Sequence, residues 1–92
     1  MIDIKKMVKE NPHELVVRLK ASDMEYWEAF NEQVIRNYLS KNSVYASKMN
    51  DKNIEIDEVY SNIYGRMIHK RALDRLRSEE AVIAFVLSYV RS

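Results

Sequence analysis

Ninety-two residues, of which 47% are hydrophobic and 32% charged, have the proportions of one soluble globular domain with a modest core, and they exclude a disordered chain. One Gly and one Pro are too few for the tight turns of a β-rich protein, so helix is favoured. The absence of Cys removes disulfides, thiolate catalysis and Cys-based zinc sites together and fits a cytoplasmic chain, while a net charge of +1 hides an uneven distribution.

The start, MIDIKKMVKENP, carries charges every few residues and has no apolar h-region, so it is not a signal peptide. Residues 1–10 are expected to be a flexible lead-in to a single domain spanning 1–92. Asn11-Pro12-His13-Glu14 predicts a helix start, with Asn11 as cap, Pro12 where a missing N–H is harmless, and Glu14 in the first turn. Leu15, Val16 and Leu19 give this helix its apolar side.

Ser22 and Glu25 stand at capping-box spacing and predict the start of a second helix. Trp27, Phe30, Val34 and Tyr38, with Ile35 beside them, recur at helical spacing and carry it to about Leu39. Residues 40–55, SKNSVYASKMNDKNIE, are polar; Val44, Tyr45 and Met49 are compatible with helix, and 50–53 is the expected loop.

The next helix starts near Ile56, with a stripe of Ile56, Val59, Ile63 and Met67 flanked by Tyr60 and Tyr64. Gly65 inside it costs about 1 kcal/mol relative to Ala, which points to close approach by another backbone or by a partner. Asp74 to Ser78 reads as a connection, and Ser78 with Glu79 and Glu80 opens the last helix. The stretch AVIAFVLSYV is rich enough in Val and Ile for a buried strand, but a lone strand would have no sheet to join, so it is read as helix. It is apolar nearly all round, hence central to the core or covered by something outside this chain. Its longest apolar run, Ala81 to Leu87, falls far short of the ~20 residues of a membrane span. The expected fold is all-α, a small bundle of about four helices.

His13 and His69 have no ligand-spaced partners that make a metal site persuasive, and Glu10 and Glu14 near His13 read as helix-start charges. No nucleophile elbow and no phosphate-cradling Gly loop is present, so the chain is read as a non-enzyme without cofactor or metal. Trp27, Phe30, Tyr38, Tyr60 and Tyr64 read as core rather than as a ligand box. Between Arg66 and Arg77, the residues Arg66, Lys70, Arg71, Arg75 and Arg77 face Asp74 alone, a local balance of +4. Such a run is either a solvated charged face or a surface for a polyanion, since clustered cations release counterions on binding phosphates. Asp51, Asp57 and Glu58 are favoured by a helix N-terminus and are also compatible with a basic protein partner.

The order of these features resembles region 2 of bacterial RNA polymerase sigma factors, especially the short extracytoplasmic-function group. Its opening pattern, ELL-x-x-L-K-A-G-D-x-x-A-F-x-x-L, is followed by Glu14-Leu15-Val16-Val17-Arg18-Leu19-Lys20-Ala21-Ser22-Asp23, with Trp27 and Phe30 at the next apolar positions. The polymerase-binding pattern E-D-L-V-Q-E-V-F-L-R-L-W lies in register with Asp57 to Ile68, and L-D-R-F-R-G-E-S-S-F-R-T-W-L-Y-R-I-A-R-N with Leu73 to Ser92. The match covers about residues 14 to 92 and is weakest between 40 and 55.

The resemblance implies a transcription-initiation domain that binds core RNA polymerase and helps recognise and melt the promoter minus-ten element. Asp57, Glu58, Ser61, Asn62 and Arg66 would meet the clamp helices of the largest subunit. Arg71, Arg75, Arg77, Ser78, Phe85 and Arg91 would meet promoter DNA, with Arg75 to Ser78 as the loop that holds a flipped base. An anti-sigma factor is a further partner of such domains. Ser61-Asn62 replaces the family's Gln-Glu pair, which removes a charge and some reach from the polymerase contact. The rest of the family's DNA-reading helix and its second domain would lie beyond Ser92, so a truncation or an engineered boundary is expected there. The competing reading is a helical protein–protein adaptor or small regulator without DNA binding, docking or dimerising through the apolar C-terminal helix.

Overall fold

The computed structural model describes residues 1–41 and 55–91. Helices α1 (Ile4–Glu10), α2 (Pro12–Lys20) and α3 (Met24–Phe30) come first. A π-helical segment, Asn31–Ile35, carries α3 without a break into α4 (Arg36–Lys41). After the undescribed residues come α5 (Ile56–His69), two 3-10 turns (Ala72–Arg75 and Glu79–Ala81) and α6 (Val82–Arg91). No strand occurs among the described residues, and the chain is a small all-α helical bundle. None of its described helices is long and apolar enough to cross a membrane. Val44, Tyr45, Met49, Asp51 and the loop expected at 50–53 lie outside the described residues.

The first ten residues are not a lead-in. Asp3 caps α1, its Oδ1 accepting the Lys6 N–H at 3.1 Å, and Ile4 is fully buried in the core. Pro12 occupies the first turn of α2 as expected, but the Asn11 side chain makes no cap hydrogen bond; its backbone N–H donates to the Met7 carbonyl at 2.7 Å instead.

The capping box expected at Ser22 and Glu25 does not form, and the cap lies one residue further on. Asp23 is the cap of α3, its Oδ1 accepting the Glu25 N–H at 3.2 Å. Ser22 closes α2 with φ +61°, its N–H donating to the Leu19 carbonyl at 3.2 Å while the Asp23 N–H reaches the Arg18 carbonyl at 3.1 Å. These are the two bonds of a Schellman motif, whose left-handed position is most comfortable for Gly.

The core is built on α2, α3, the π segment, α5 and α6. Trp27 and Phe30 are fully buried, and the Trp27 Nε1–H donates to the Leu19 carbonyl at 2.9 Å. Tyr64 meets Trp27 edge-on with ring centroids 5.2 Å apart, which joins α5 to α3. Ile63 and Met67 of α5 are buried, and α6 turns Val82, Val86 and Val90 inward at a spacing of four. It is not uniformly covered: Ala84 and Ser88 are exposed, and Ile83, Phe85, Leu87 and Tyr89 are half-buried.

A π turn holds about 4.4 residues rather than 3.6, so the apolar stripe slips by one position across 31–35. The inward residue of the following turn is Leu39, 1% exposed, while Tyr38, assigned to the stripe by simple periodicity, is half-buried at its edge.

Candidate protein and nucleic-acid interface

Helix α5 buries one side and bares the other. Asp57, Glu58, Ser61, Asn62, Gly65 and Arg66 are all exposed, and their spacing places them along a single face. Asp57 and Glu58 sit in the first turn, where the positive end of the helix dipole favours carboxylates. The Asp57 carboxylate is engaged by Arg36 from α4, Nη2 to Oδ1 at 2.6 Å. That ion pair holds the Arg36 guanidinium even further above its ordinary range. The close backbone contact that Gly65 suggested does not exist among the described residues: a Cβ placed there meets no atom within 4 Å.

Arg66 belongs with α6 as much as with this face. Its guanidinium lies 6.0 Å from the Tyr89 ring centroid, and Tyr89 lies 5.4 Å from the Phe85 ring. Arg66 and Phe85, assigned to separate surfaces by sequence, therefore join through Tyr89 at one junction. Arg91 is the last residue of α6.

The Arg-rich connection starts earlier than the expected Asp74. Arg71 adopts φ +50° and ψ +45°, a left-handed conformation that ends α5 at His69. Ala72 and Leu73 then anchor the 3-10 turn in the core, which leaves Arg71, Asp74, Arg75, Arg77 and Ser78 exposed. Asp74, the one carboxylate within 66–77, is engaged by Lys20 of α2, Nζ to Oδ1 at 3.5 Å. Lys70, Arg71, Arg75 and Arg77 carry no ion pair among the described residues. Arg18, by contrast, is held by Glu14 at 3.1 Å and Asp23 at 3.6 Å. The connection is thus a patch of uncompensated positive charge.

A cavity of about 280 Å³ opens at the start of this patch, lined by Lys20, Met67, Ile68, Arg71, Leu73 and Asp74. Arg75, Arg77 and Ser78 do not line it. Lys20 was missed by sequence because it comes from a helix fifty residues earlier and only the fold brings it here. His13 also has a structural partner: its Nδ1 lies 3.0 Å from Glu79 Oε1, tying the start of α2 to the second 3-10 turn. Among the described residues no group of three or more His, Cys, Asp or Glu could hold a metal ion.

A second recess, of about 410 Å³, lies between the α3–π–α4 helix and the first turns of α5. Glu28, Asn31, Glu32, Arg36, Asp57, Tyr60 and Ser61 line it. Asn31 is only 7% exposed, and both its Oδ1 and the Tyr60 hydroxyl are buried without a hydrogen-bond partner among the described residues. Burial raises the Tyr60 hydroxyl above its ordinary pKa of 10.0, and the Glu28 carboxylate and Tyr64 push it in the same direction. Asn31 drew no attention in sequence because it is polar, although it lies four residues after the buried Trp27 and so shares its inner face.

No protein-family model, no curated protein and no solved structure matches the chain.

Proposed function

We propose that the chain is a promoter-recognition domain similar to region 2 of a sigma factor, acting in the bacterial cytoplasm. It binds core RNA polymerase through the outer face of α5 and promoter DNA through the connection from Arg71 to Ser78. The domain catalyses nothing; holding an unpaired minus-ten base favours the melted state by mass action. Phosphate contacts by Arg71, Arg75 and Arg77 supply salt-dependent affinity, and aromatic stacking with Phe85 supports the unpaired strand.

The observation that carries this reading is the uncompensated charge of the connection, whose single carboxylate is neutralised from α2. Two others support it. Ser22 adopts the left-handed conformation at the position where the family's pattern has Gly. The face of α5 bearing Glu58, Ser61 and Asn62 is exposed along its length, and Gly65, one turn beyond Ser61, is open to solvent.

The test is binding to the isolated clamp helices of a cognate polymerase, with Glu58→Arg as control. The reading predicts measurable affinity on the order of 10 µM that the variant abolishes; no interaction, with the variant indistinguishable, overturns it. A minus-ten-like single strand should bind with log K falling against log salt by roughly 0.7 for each phosphate contacted.

One observation favours the adaptor reading. Half-buried Ile83 and Leu87 of α6, with Val34 and Tyr38, floor an open groove of about 520 Å³ flanked by Lys5 and Lys41. An adaptor would self-associate or capture a partner there and show no salt-sensitive affinity for single-stranded DNA.

A further inference from the structure

The recess between the π segment and α5 offers acceptors with nothing to accept from. Two of its polar groups, Asn31 Oδ1 and the Tyr60 hydroxyl oxygen, are shut off from solvent and have no hydrogen-bond partner among the described residues. Asn31 is 7% exposed, so bulk water does not satisfy it. Around them stand Glu28, Glu32 and Asp57 against Arg36, and Asp57 is already engaged by Arg36 at 2.6 Å. Glu28 and Glu32 carry no ion pair among the described residues, which leaves the recess with an excess of two negative charges.

We infer that this recess is a receptor for an arginine side chain presented by a partner polypeptide. A metal ion is a poor fit, because the carboxylates do not converge into a ligand set. One water is too small an occupant for about 410 Å³, against roughly 30 Å³ for a water molecule. A neutral amide could meet Asn31 and Tyr60 but would leave Glu28 and Glu32 unanswered.

A guanidinium meets all of these requirements at once. It is planar, always charged, and carries five N–H donors in a fixed fork, so it can address acceptors on both helices. Its flat face stacks on aromatic rings, and Tyr60 stands in the recess with Tyr64 behind it at a ring separation of 6.2 Å. An ammonium has fewer donors and no flat face. The lining side chains Glu28, Glu32, Arg36 and Asp57 are exposed, so their rotation admits the guanidinium without moving backbone. Asn31, one turn after the buried Trp27, faces inward beside Tyr60, and the π turn that follows aims Arg36 across the recess at Asp57.

This assignment goes beyond the promoter reading and does not depend on it, since any partner that presents an arginine satisfies it. The test titrates the 92-residue protein with N-acetyl-arginine amide and follows the Asn31 side-chain amide and the Tyr60 ring by NMR. The expected result is a saturable shift of both signals with a Kd on the order of 1–10 mM. Combined Glu28→Gln and Glu32→Gln should weaken it by roughly fivefold or more, while Glu58→Gln on the outer face should leave it unchanged. An equal response to N-acetyl-citrulline amide, which keeps the shape and lacks the charge, overturns the proposal. So does the absence of a shift at about 50 mM probe, or an undiminished shift in the double variant. Polymerase takes no part in this readout, so its failure leaves the promoter reading standing, and loss of clamp-helix binding leaves the receptor standing.

Discussion

Gln33 holds Ile4 in place through its side-chain amide. The Gln33 Oε1 accepts the Ile4 N–H at 2.8 Å, and the Nε2 donates to the Ile2 carbonyl at 2.6 Å, so one carboxamide pairs with the chain on both sides of residue 3. This pairing satisfies an N-terminal N–H of α1 and fastens that helix to the π segment. Gln33→Ala should lower stability by about 1–3 kcal/mol, and Ile4→Ala by about 2–5 kcal/mol. Urea denaturation of both variants measures this; unchanged midpoints would mean that α1 is not part of the cooperative unit.

Ser22 should be improvable. A non-glycine residue at φ +61° carries left-handed strain that glycine avoids, whereas glycine also loosens the unfolded chain. The balance favours Ser22→Gly by about 0.5–1 kcal/mol, visible as a raised Tm. A lowered Tm would indicate that the Ser22 side chain contributes more than its backbone strain removes.

Gly65 separates folding from docking. An added methyl group meets open space, so Gly65→Ala should stabilise the isolated domain by about 1 kcal/mol through helix propensity alone. If a clamp helix lies across this face, the same methyl group should weaken that complex despite the more stable helix. Thermal melts and clamp-helix titrations on one protein preparation read both effects, and undiminished docking would move the contact away from Gly65.

Tyr60 should ionise above the ordinary range of a tyrosine. Its hydroxyl pKa is raised above 10.0 in the folded chain, so between the unfolded and folded values the native state holds a proton that the unfolded state has lost. Its contribution is therefore complete below pH 10 and declines as pH rises further. Tyr60→Phe should remove a step above pH 10 from a tyrosinate absorbance titration and flatten the alkaline fall in stability. It should cost little at neutral pH, because it removes a hydroxyl that has no partner. A titration and an alkaline stability profile unchanged by the substitution above pH 10 would contradict the burial of this group.

Much of the fold was legible in sequence because it rests on local signals. The starts of α2 and α5, the inward Trp27 and Phe30, and the helical state of α6 follow from Pro12, first-turn carboxylates and apolar spacing. α1 escaped notice because seven residues with a single fully buried side chain leave no periodic stripe, and its anchor, Gln33, is 29 residues away from Ile4. The cap moved from Ser22 to Asp23 because the Schellman motif of α2 claims Ser22 first, a competition that pairwise spacing does not reveal. The candidate interfaces were legible as charge along the chain and illegible as neighbours. Lys20 beside Asp74, and Arg66 against Tyr89, are products of packing between distant helices.

The π turn at 31–35 can be read as a stored rotation of roughly 100°, one residue's worth of helical phase. Everything from Arg36 to Lys41 is indexed to the core through that offset, so Leu39 rather than Tyr38 meets the interior. The same offset aims Arg36 at Asp57 across the recess. Shortening the segment by a single residue would unwind it to ordinary helix and turn all of α4 about its axis. A one-residue deletion here would thus act at a distance, dismantling the Arg36–Asp57 pair and removing Arg36 from the recess.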